Sequence, residues 1–187
     1  MNPRKSNYNI HDFFLNRWSP RSFKQDPIPE DALYSLFEAA RWAPSGNNLQ
    51  PWRYIIARKP EDRSVFLSFI NEGNVRWCKN APVLALLVSK STKNDGKPAA
   101  SHAFDAGASW GYLALEAVHQ GLSVHAMGGF DKQAARQVLN IPDEYVPQIA
   151  IAIGYRDDKD KLPADMQDRE TPNDRMPLNE ILIEGSF

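Results

Sequence analysis

Two strongly apolar segments constrain the fold of this chain more than any other feature. Residues 82–89 form a near-continuous apolar run, and residues 147–155 form a second one. Runs of this length without polar alternation are typical of strands that are buried on both faces. Strands of that kind need covering layers above and below them, so the chain must supply helices for both faces of a sheet.

Helical patterns are present on both sides of these runs. Pro29 and the two acids after it open one helix, which Pro44 ends. Further helices are predicted at residues 60–70, with Val65 and Phe66 facing inward, and at residues 74–80. Shorter strands are predicted at 52–57 and 122–126. This alternation predicts an α+β fold in which helices cover both faces of a mixed sheet.

The longest predicted helix covers residues 99–120 and ends at Gly121. It carries several small residues, which permit close approach of a neighbouring backbone. Tight packing in the core and a subunit interface both explain them. The polar residues His102, Asp105 and Glu116 are expected to keep this helix soluble. A further helix, with Asp131 as its N-cap, is predicted to run to Leu139.

A chain of 187 residues fits one domain, residues 1–187. Residues 156–175 are charged and proline-bearing and resemble a linker or tail, but the apolar residues that follow argue against simple disorder. The net charge of −1, with scattered basic residues, gives no reason to expect a nucleic acid partner. No apolar stretch approaches the ~18 residues of a membrane span, and the first residues do not resemble a signal peptide. Because Cys78 is the only cysteine, a reducing compartment is favoured and we expect a cytoplasmic protein.

The segment 43–52 has far more hydrogen-bonding groups than a turn requires. It contains Pro44, Ser45, Gly46, Asn48 and Gln50. Asparagine and glutamine each present a donor and an acceptor on one planar group, which suits a flat heterocycle such as the pyrimidine end of a flavin. The alternative is a polar loop that ends a helix and starts a strand. This segment alone favours neither interpretation.

A second motif lies near the N-terminus, where Arg17, Trp18, Ser19 and Arg21 occur within five positions. Guanidinium groups bind phosphate through paired hydrogen bonds, and a serine hydroxyl adds another donor. The alternative is a pair of solvated arginines at a helix end. The presence of segment 43–52 in the same chain favours the phosphate interpretation.

Taken in order, these motifs resemble those of the FMN-dependent nitroreductase family. That family also has a G-F-D turn, a strand ending in I-G-Y and an R-x-P-L-x-E-like tail, which match Gly129–Asp131, Ile153–Tyr155 and Arg175–Glu180 here. The resemblance implies a three-layer α/β/α fold with a central mixed, mainly antiparallel sheet. It also implies an intertwined homodimer in which residues 156–187 form an arm that wraps the partner subunit.

The resemblance implies roles for individual residues around FMN. Arg17 and Ser19, with Trp18 in the same motif, would hold the phosphate, and Arg175 would reach it from the tail. Arg21 would lie near the pyrimidine edge of the flavin, where a cation stabilises the charge of reduced FMN. One departure is Asn173, where some members carry a lysine.

Other residues match the flavin-ring contacts of the family. Pro44, Ser45, Gly46 and Asn48 would come from the other subunit, supported by Gln50. The remaining contacts would be Asn74, Met127, Gly128 and Gly129, the glycines placing a backbone N–H beside flavin N5. Many members carry an acidic residue at the position of Gly128.

The resemblance implies an FMN oxidoreductase that NAD(P)H reduces and a nitroaromatic, quinone or related electrophile reoxidises, by ping-pong hydride transfer through N5. Since the cofactor carries the reaction, no catalytic side chain and no metal are expected. The alternatives are a specialised flavin chemistry (reductive dehalogenation, enone reduction or flavin fragmentation) and a non-catalytic FMN-binding protein. His125 can approach the flavin, although a packed histidine also fits its position, and Cys78 is expected to be a buried, inert thiol.

Overall fold

The computed structural model describes residues 4–187. Residues 1–3, which belong to the predicted domain and to the N-terminal segment considered above, lie outside this range. It contains four strands, namely β1 Trp52–Ala57, β2 Val83–Lys90, β3 Ser123–Met127 and β4 Tyr145–Gly154. Its seven α-helices are α1 Asp12–Asn16, α2 Glu30–Arg41, α3 Pro60–Phe69, α4 Glu72–Cys78, α5 His102–His119, α6 Lys132–Val138 and α7 Ala164–Gln167. Three short 3₁₀ turns lie at Gly46–Asn48, Lys159–Lys161 and Leu178–Glu180.

The four strands form one sheet in the order β1-β2-β4-β3. All three pairings are antiparallel, and the register of β2 against β4 shifts once, between Leu87 and Val88. The predicted α+β class and the predominance of antiparallel pairing are therefore confirmed. The two predicted apolar runs are the central strands, β2 and β4, and the shorter strands are the edges.

The side chains of the sheet divide between two cores. In β2, Leu84 and Leu86 join a cluster with Phe66 of α3 and Trp77 of α4. Alternate residues of the same strand join a second cluster, which contains residues of α2 and α5 such as Leu113. This alternation is the consequence of the two-residue period of a strand. Helices α3, α4 and α6 therefore cover one face and α2 and α5 the other, as the apolar runs predicted.

The ends of the helices follow local chemistry. The Asp131 carboxylate accepts hydrogen bonds from the backbone N–H groups of Gln133 and Ala134, both at 2.9 Å, and so begins α6. Gly121 ends the α5 segment with φ +69°, a conformation that glycine adopts without strain. The prediction that Val65 faces inward is wrong, because Val65 is 38% exposed while Phe66 and Phe69 of α3 are buried.

The C-terminal segment has two parts with different surroundings. Residues 156–170 lie against the N-terminal motif, with a bridge from Phe23 to Arg156 and a buried Glu170. Residues 174–187 are exposed throughout, and their apolar side chains include Ile181 and Leu182, exposed by 59% and 61%. No helix of the described chain is long and apolar enough to cross a membrane.

Candidate functional site

A cavity of about 680 Å³ joins the N-terminal motif to the C-terminal segment. Its wall carries four guanidinium groups and the imidazole of β3. The lining residues are Arg17, Trp18, Ser19, Arg21, His125, Arg169, Thr171, Asn173, Asp174, Arg175 and Met176. The fold thus brings together five of the residues that the sequence singled out, namely Arg17, Trp18, Ser19, Arg21 and Arg175. Arg175 comes from a segment more than 150 positions after the N-terminal motif that holds the other four.

Arg17 is the cation at the centre of this cluster. One of its guanidinium nitrogens donates to Ser19 Oγ at 3.3 Å. Burial, and then the positive charges of Arg175 and Arg4, lower the pKa of Arg17. The pKa of Arg4 is lowered by burial and by Arg175, although the nearby Asp174 carboxylate acts in the opposite direction. The charge of Arg175 therefore opposes both neighbouring cations, and Arg17 and Arg175 line the same cavity, which favours an anionic ligand there.

Glu170 fixes the backbone of the arginine motif. Its Oε1 accepts from the N–H groups of Arg21 and Ser22 at 2.8 and 2.9 Å, and the residue is only 7% exposed. Its other oxygen is buried without a hydrogen-bond partner among the described residues. The carboxylate therefore joins the chain at position 170 to the residue expected beside the flavin pyrimidine.

His125 lies on β3 at the wall of the cavity. Its Nδ1 is 2.8 Å from the Pro20 carbonyl oxygen, and its ring packs on Trp77 with 4.5 Å between centroids. Burial lowers the pKa of His125 to about 4. Because a carbonyl oxygen only accepts, Nδ1 carries the proton and the imidazole is neutral near pH 7. His125 is thus a packed histidine that also faces the cavity.

Strand β3 leads from His125 to two glycines. Met127, the last residue of the strand, is buried, whereas Gly128 is exposed. Within residues 4–187 the N–H groups of Gly128 and Gly129 have no acceptor. The Asn74 amide donates to the Gly129 carbonyl at 3.1 Å. A side chain on Gly129 would start 2.8 Å from that amide nitrogen, so glycine permits this close approach.

The segment 43–50 lies away from the cavity. It precedes β1, which is the edge of the sheet opposite to β3, and none of its residues lines the cavity. With strands about 4.8 Å apart, three pairings separate the two edges by roughly 14 Å. One chain therefore does not bring Pro44, Ser45, Gly46, Asn48 and Gln50 together with the arginine motif.

The loop nevertheless has a defined shape. Ser45 Oγ accepts from the Gln50 N–H at 3.0 Å, and the Gln50 amide donates to the Asn48 carbonyl at 2.9 Å. Asn47, Asn48 and Gln50 have φ values of 52°, 55° and 47°. Three non-glycine residues in the left-handed region within four positions represent a strained backbone that its surroundings must hold.

Sequence reasoning did not find three residues that organise these sites. Arg4 donates to the Arg17 carbonyl at 2.7 Å and to the Asn173 carbonyl at 2.6 Å. Glu170 binds the arginine motif as described. Asp105, expected to be a solubilising surface residue, is instead only 3% exposed. No local pattern marks such residues, because each one acts through a partner distant in sequence.

Neither the cysteine thiol nor the possible metal-binding side chains form a reactive site among the described residues. Cys78 is fully buried, which raises the pKa of its thiol to about 12 and confirms the expectation of an inert group. Among residues 4–187 no cluster of three or more His, Cys, Asp or Glu side chains could hold a metal ion.

An antiparallel sheet between two helical layers, with an arginine-lined cavity at one edge, defines an α+β protein with a site for an anionic ligand. The model of the nitroreductase family matches residues 15–74 and 62–155. The chain belongs to the nitroreductase family, as its motifs predicted.

Two relatives are similar to this chain over almost their whole length. An NADH dehydrogenase of Thermus thermophilus is 29% identical, with 90% of this chain and 92% of the relative covered. An iodotyrosine deiodinase of Thermotoga neapolitana is 27% identical, with 93% and 96% covered. A crystal structure of an oxidoreductase containing FMN is 42% identical, has a TM-score of 0.95 and covers 100% of this chain and 97% of its own.

Proposed function

We propose that this chain is an FMN-dependent oxidoreductase that is reduced by NAD(P)H and reoxidised by a nitroaromatic, a quinone or a related electrophile. The observation that carries the proposal is the set of four guanidinium groups, of Arg17, Arg21, Arg169 and Arg175, that line one cavity together with the Ser19 hydroxyl. Arg17 and Arg175 repel each other there, and after burial the charge of Arg175 lowers the pKa of Arg17. A phosphate group would neutralise this repulsion. The 42% identical oxidoreductase containing FMN supports the choice of flavin.

The residues of the cavity fit the phosphate end of FMN. Arg17, Ser19 and Arg175 offer charged and hydroxyl donors within one wall. Trp18, whose ring lies 5.9 Å from the Arg156 guanidinium carbon, forms part of the same wall. Arg21 is the cation that would stabilise negative charge on the reduced pyrimidine ring, and Glu170 holds its backbone in place.

The end of β3 fits the isoalloxazine ring. Gly128 lies three positions after His125, which corresponds to about 10 Å along a strand. The N–H groups of Gly128 and Gly129 have no acceptor within the described chain, so they are available as donors to a flavin nitrogen. Asn74 lies beside them through its bond to the Gly129 carbonyl. When bound, FMN supplies the hydride chemistry, and the chain binds, orients and electrostatically stabilises it.

We also propose that the site is built from two chains. The loop with Pro44, Ser45, Gly46 and Asn48 does not reach the cavity of its own chain. On α5, Phe104 and Tyr112 are exposed by 80% and 44%, and Gly107 is exposed beside them. The exposed arm, residues 174–187, presents further apolar surface. A partner subunit that covers α5 and the arm and supplies its loop would explain all three features.

The first experiment is an absorption spectrum of the purified protein before and after anaerobic addition of NADH or NADPH. A flavin band near ~450 nm that bleaches is the expected result. A colourless protein that takes up no added FMN would overturn the proposal. With a nitroaromatic acceptor, parallel double-reciprocal lines are expected from a ping-pong reaction, whereas intersecting lines contradict it.

A specialised flavin reaction is the second candidate. The iodotyrosine deiodinase relative favours it, since that protein covers 93% of this chain. It predicts poor turnover of generic nitro compounds and quinones together with high turnover of one substrate, such as a halogenated aromatic. A flavin band that NADH and NADPH leave unchanged would instead indicate a non-catalytic FMN-binding protein.

A further inference from the structure

We propose that Asp105 is a positioning residue that holds the loop 45–50 in its strained shape. The proposal rests on the proposed function in one respect, namely that this loop completes an FMN site. The geometry that supports it lies entirely within one chain. Asp105 was expected at the surface, but its carboxylate is buried.

Asp105 lies in the first turn of α5 and is 3% exposed. Its Oδ2 accepts two hydrogen bonds, from the Gly46 N–H at 3.2 Å and from Ser101 Oγ at 2.9 Å. Both donors are neutral. Burying a carboxylate is costly unless it is hydrogen-bonded, and its position near the positive end of a long helix reduces that cost. The bonds to Ser101 and Gly46 join the loop to the helix.

The loop needs an external anchor because its own bonds do not fix it to the fold. The Asn48 and Leu49 N–H groups donate to the carbonyls of Ser45 and Gly46, and the bonds of Gln50 also stay within the loop. Each residue with positive φ costs on the order of 1 kcal/mol, and such strain persists only where the surroundings hold it. Few hydrogen bonds connect the loop to the rest of the fold.

Two side-chain hydrogen bonds connect the loop to other elements among the described residues. Arg53 donates to the Gln50 carbonyl at 3.0 Å, but Arg53 is an exposed side chain. Asp105 is buried and belongs to the 18-residue helix α5. Of the two, Asp105 therefore provides the rigid connection.

The anchor also explains the glycine in the loop. A Cβ atom on Gly46 would lie 2.8 Å from Ser101 Oγ and 3.8 Å from Asp105 Oδ2. The φ of Gly46 is not in the positive region, so the constraint at this position is the close approach of the Ser101 hydroxyl rather than backbone conformation. An added Cβ would displace the Ser101 hydroxyl and so disturb the bond that it donates to Asp105.

The connection gives α5 two roles in the same assembly. Its exposed side carries Phe104 and Gly107, which we assign to the subunit interface, and its buried Asp105 holds the loop. Loop and interface helix thus form one rigid unit, and docking of a partner would bring the loop to a fixed position over the partner's cavity. In this way Asp105 acts on a cofactor site that it does not touch.

The test compares Asp105→Ala with Asp105→Asn in the full-length protein. The alanine variant loses both hydrogen bonds, and we expect FMN affinity to fall by roughly ten- to thirty-fold. Asparagine keeps an acceptor oxygen, so affinity is expected to recover to within about three-fold of the wild type. Amide hydrogen exchange at residues 45–50 is measured on the FMN-free protein, and protection of the Gly46 N–H should fall in Asp105→Ala.

Asp95→Ala is the matched control, because Asp95 is an exposed carboxylate in the turn before α5. Gly46→Ala is the second loop variant, for use if Asp105→Ala does not fold, and a smaller loss of loop protection and affinity in the same direction is expected from it. A merely structural role for Asp105 would lower the melting temperature without changing FMN affinity well below melting. That outcome, or unchanged Gly46 exchange, overturns the proposal.

The two proposals fail in different ways. If the wild type takes up no FMN, the proposed function fails, and the exchange measurement still tests the anchor. If the wild type binds FMN but Asp105→Ala binds it equally well with normal loop protection, the positioning role fails and the function stands.

Discussion

The Nδ1 atom of His125 lies 2.8 Å from the carbonyl oxygen of Pro20, so strand β3 is bonded directly to the arginine motif. The same imidazole packs on Trp77 of the core. The bond requires a proton on Nδ1, and burial, which lowers the pKa of His125 to about 4, keeps the ring otherwise neutral near pH 7. Protonation of the second nitrogen would place a further positive charge beside Arg17 and Arg21.

The first prediction concerns the pH dependence of folding. The pKa of His125 falls from 6.5 to about 4 on folding, chiefly because the ring is buried. Between these values the unfolded chain binds more protons than the native protein. The contribution of His125 to the free energy of unfolding is therefore complete above pH 6.5 and is lost as pH falls to about 4. The loss amounts to roughly 3 kcal/mol.

Chemical denaturation at several pH values measures this effect. His125→Gln retains an N–H donor for the Pro20 carbonyl without a titrating group, so this part of the pH dependence should disappear. His119→Gln, at an exposed position of α5, is the control. An unchanged pH profile in His125→Gln would contradict the assignment.

The second prediction concerns the cation cluster. Arg17→Ala should weaken FMN binding by about ten- to a hundred-fold, because charge-assisted bonds to phosphate are lost. The FMN-free protein should be no less stable than the wild type, since a mutual repulsion is also removed. Fluorescence titration and denaturation measure the two effects. Arg58→Ala, at an exposed arginine that does not line the cavity, should leave the FMN affinity unchanged.

The third prediction uses two adjacent glycines. A Cβ on Gly128 meets no atom within 4 Å, whereas one on Gly129 would lie 2.8 Å from the Asn74 amide. We expect Gly128→Ala to change the free energy of unfolding by less than about 0.5 kcal/mol. Gly129→Ala should cost about 1 kcal/mol or more through the displaced Asn74 bond. Equal effects of the two variants on unfolding would contradict the geometry.

The fourth prediction concerns the hydrogen bonds that connect Glu170 to the arginine motif. Glu170→Ala leaves the N–H groups of Arg21 and Ser22 without their acceptor, so it should destabilise the protein by roughly 2–3 kcal/mol. Glu170→Gln keeps an acceptor oxygen and should cost less. Glu61→Ala, at an exposed position of α3, serves as the control in the same urea titration. If Glu170→Ala lowered the free energy of unfolding as little as the control does, the two hydrogen bonds of Glu170 would contribute nothing to stability.

The fifth prediction tests whether two chains build each site. One variant carries Arg17→Ala in the cavity, and another carries Ser45→Ala with Asn48→Ala in the loop. If each site combines the cavity of one chain with the loop of the other, a mixed dimer has one intact site and one doubly altered site. Mixing the unfolded variants and refolding them should then restore flavin binding to about half of the sites in mixed dimers. A site within one chain would show no restoration.

The layers of the fold were predictable because the signals for them are local. Apolar runs marked β2 and β4, and the cap at Asp131 and the glycine at 121 marked helix ends. The membership of the family followed from motifs that each span a few residues. Val65 was placed on the wrong face because a helix of ten residues leaves the edge of its apolar stripe poorly defined.

The supporting contacts of the site were not predictable in the same way. Glu170 and Arg4 act on residues 149 and 13 positions away, and no periodicity records such pairs. Asp105 has the sequence appearance of a surface residue, and only the packing of α5 against the loop reveals its burial. The loop itself was singled out by composition, but its distance from the cavity depends on the strand order.

The bond from Glu170 to the Arg21 N–H also determines when the site can form during protein synthesis. The two residues are 149 positions apart, so the ribosome makes the arginine motif long before its acceptor. The sheet strands, which end at Gly154, can pair before residue 170 has emerged. A nascent chain can therefore hold a paired sheet while its arginine motif is still open, and the cavity closes only once residue 170 has emerged.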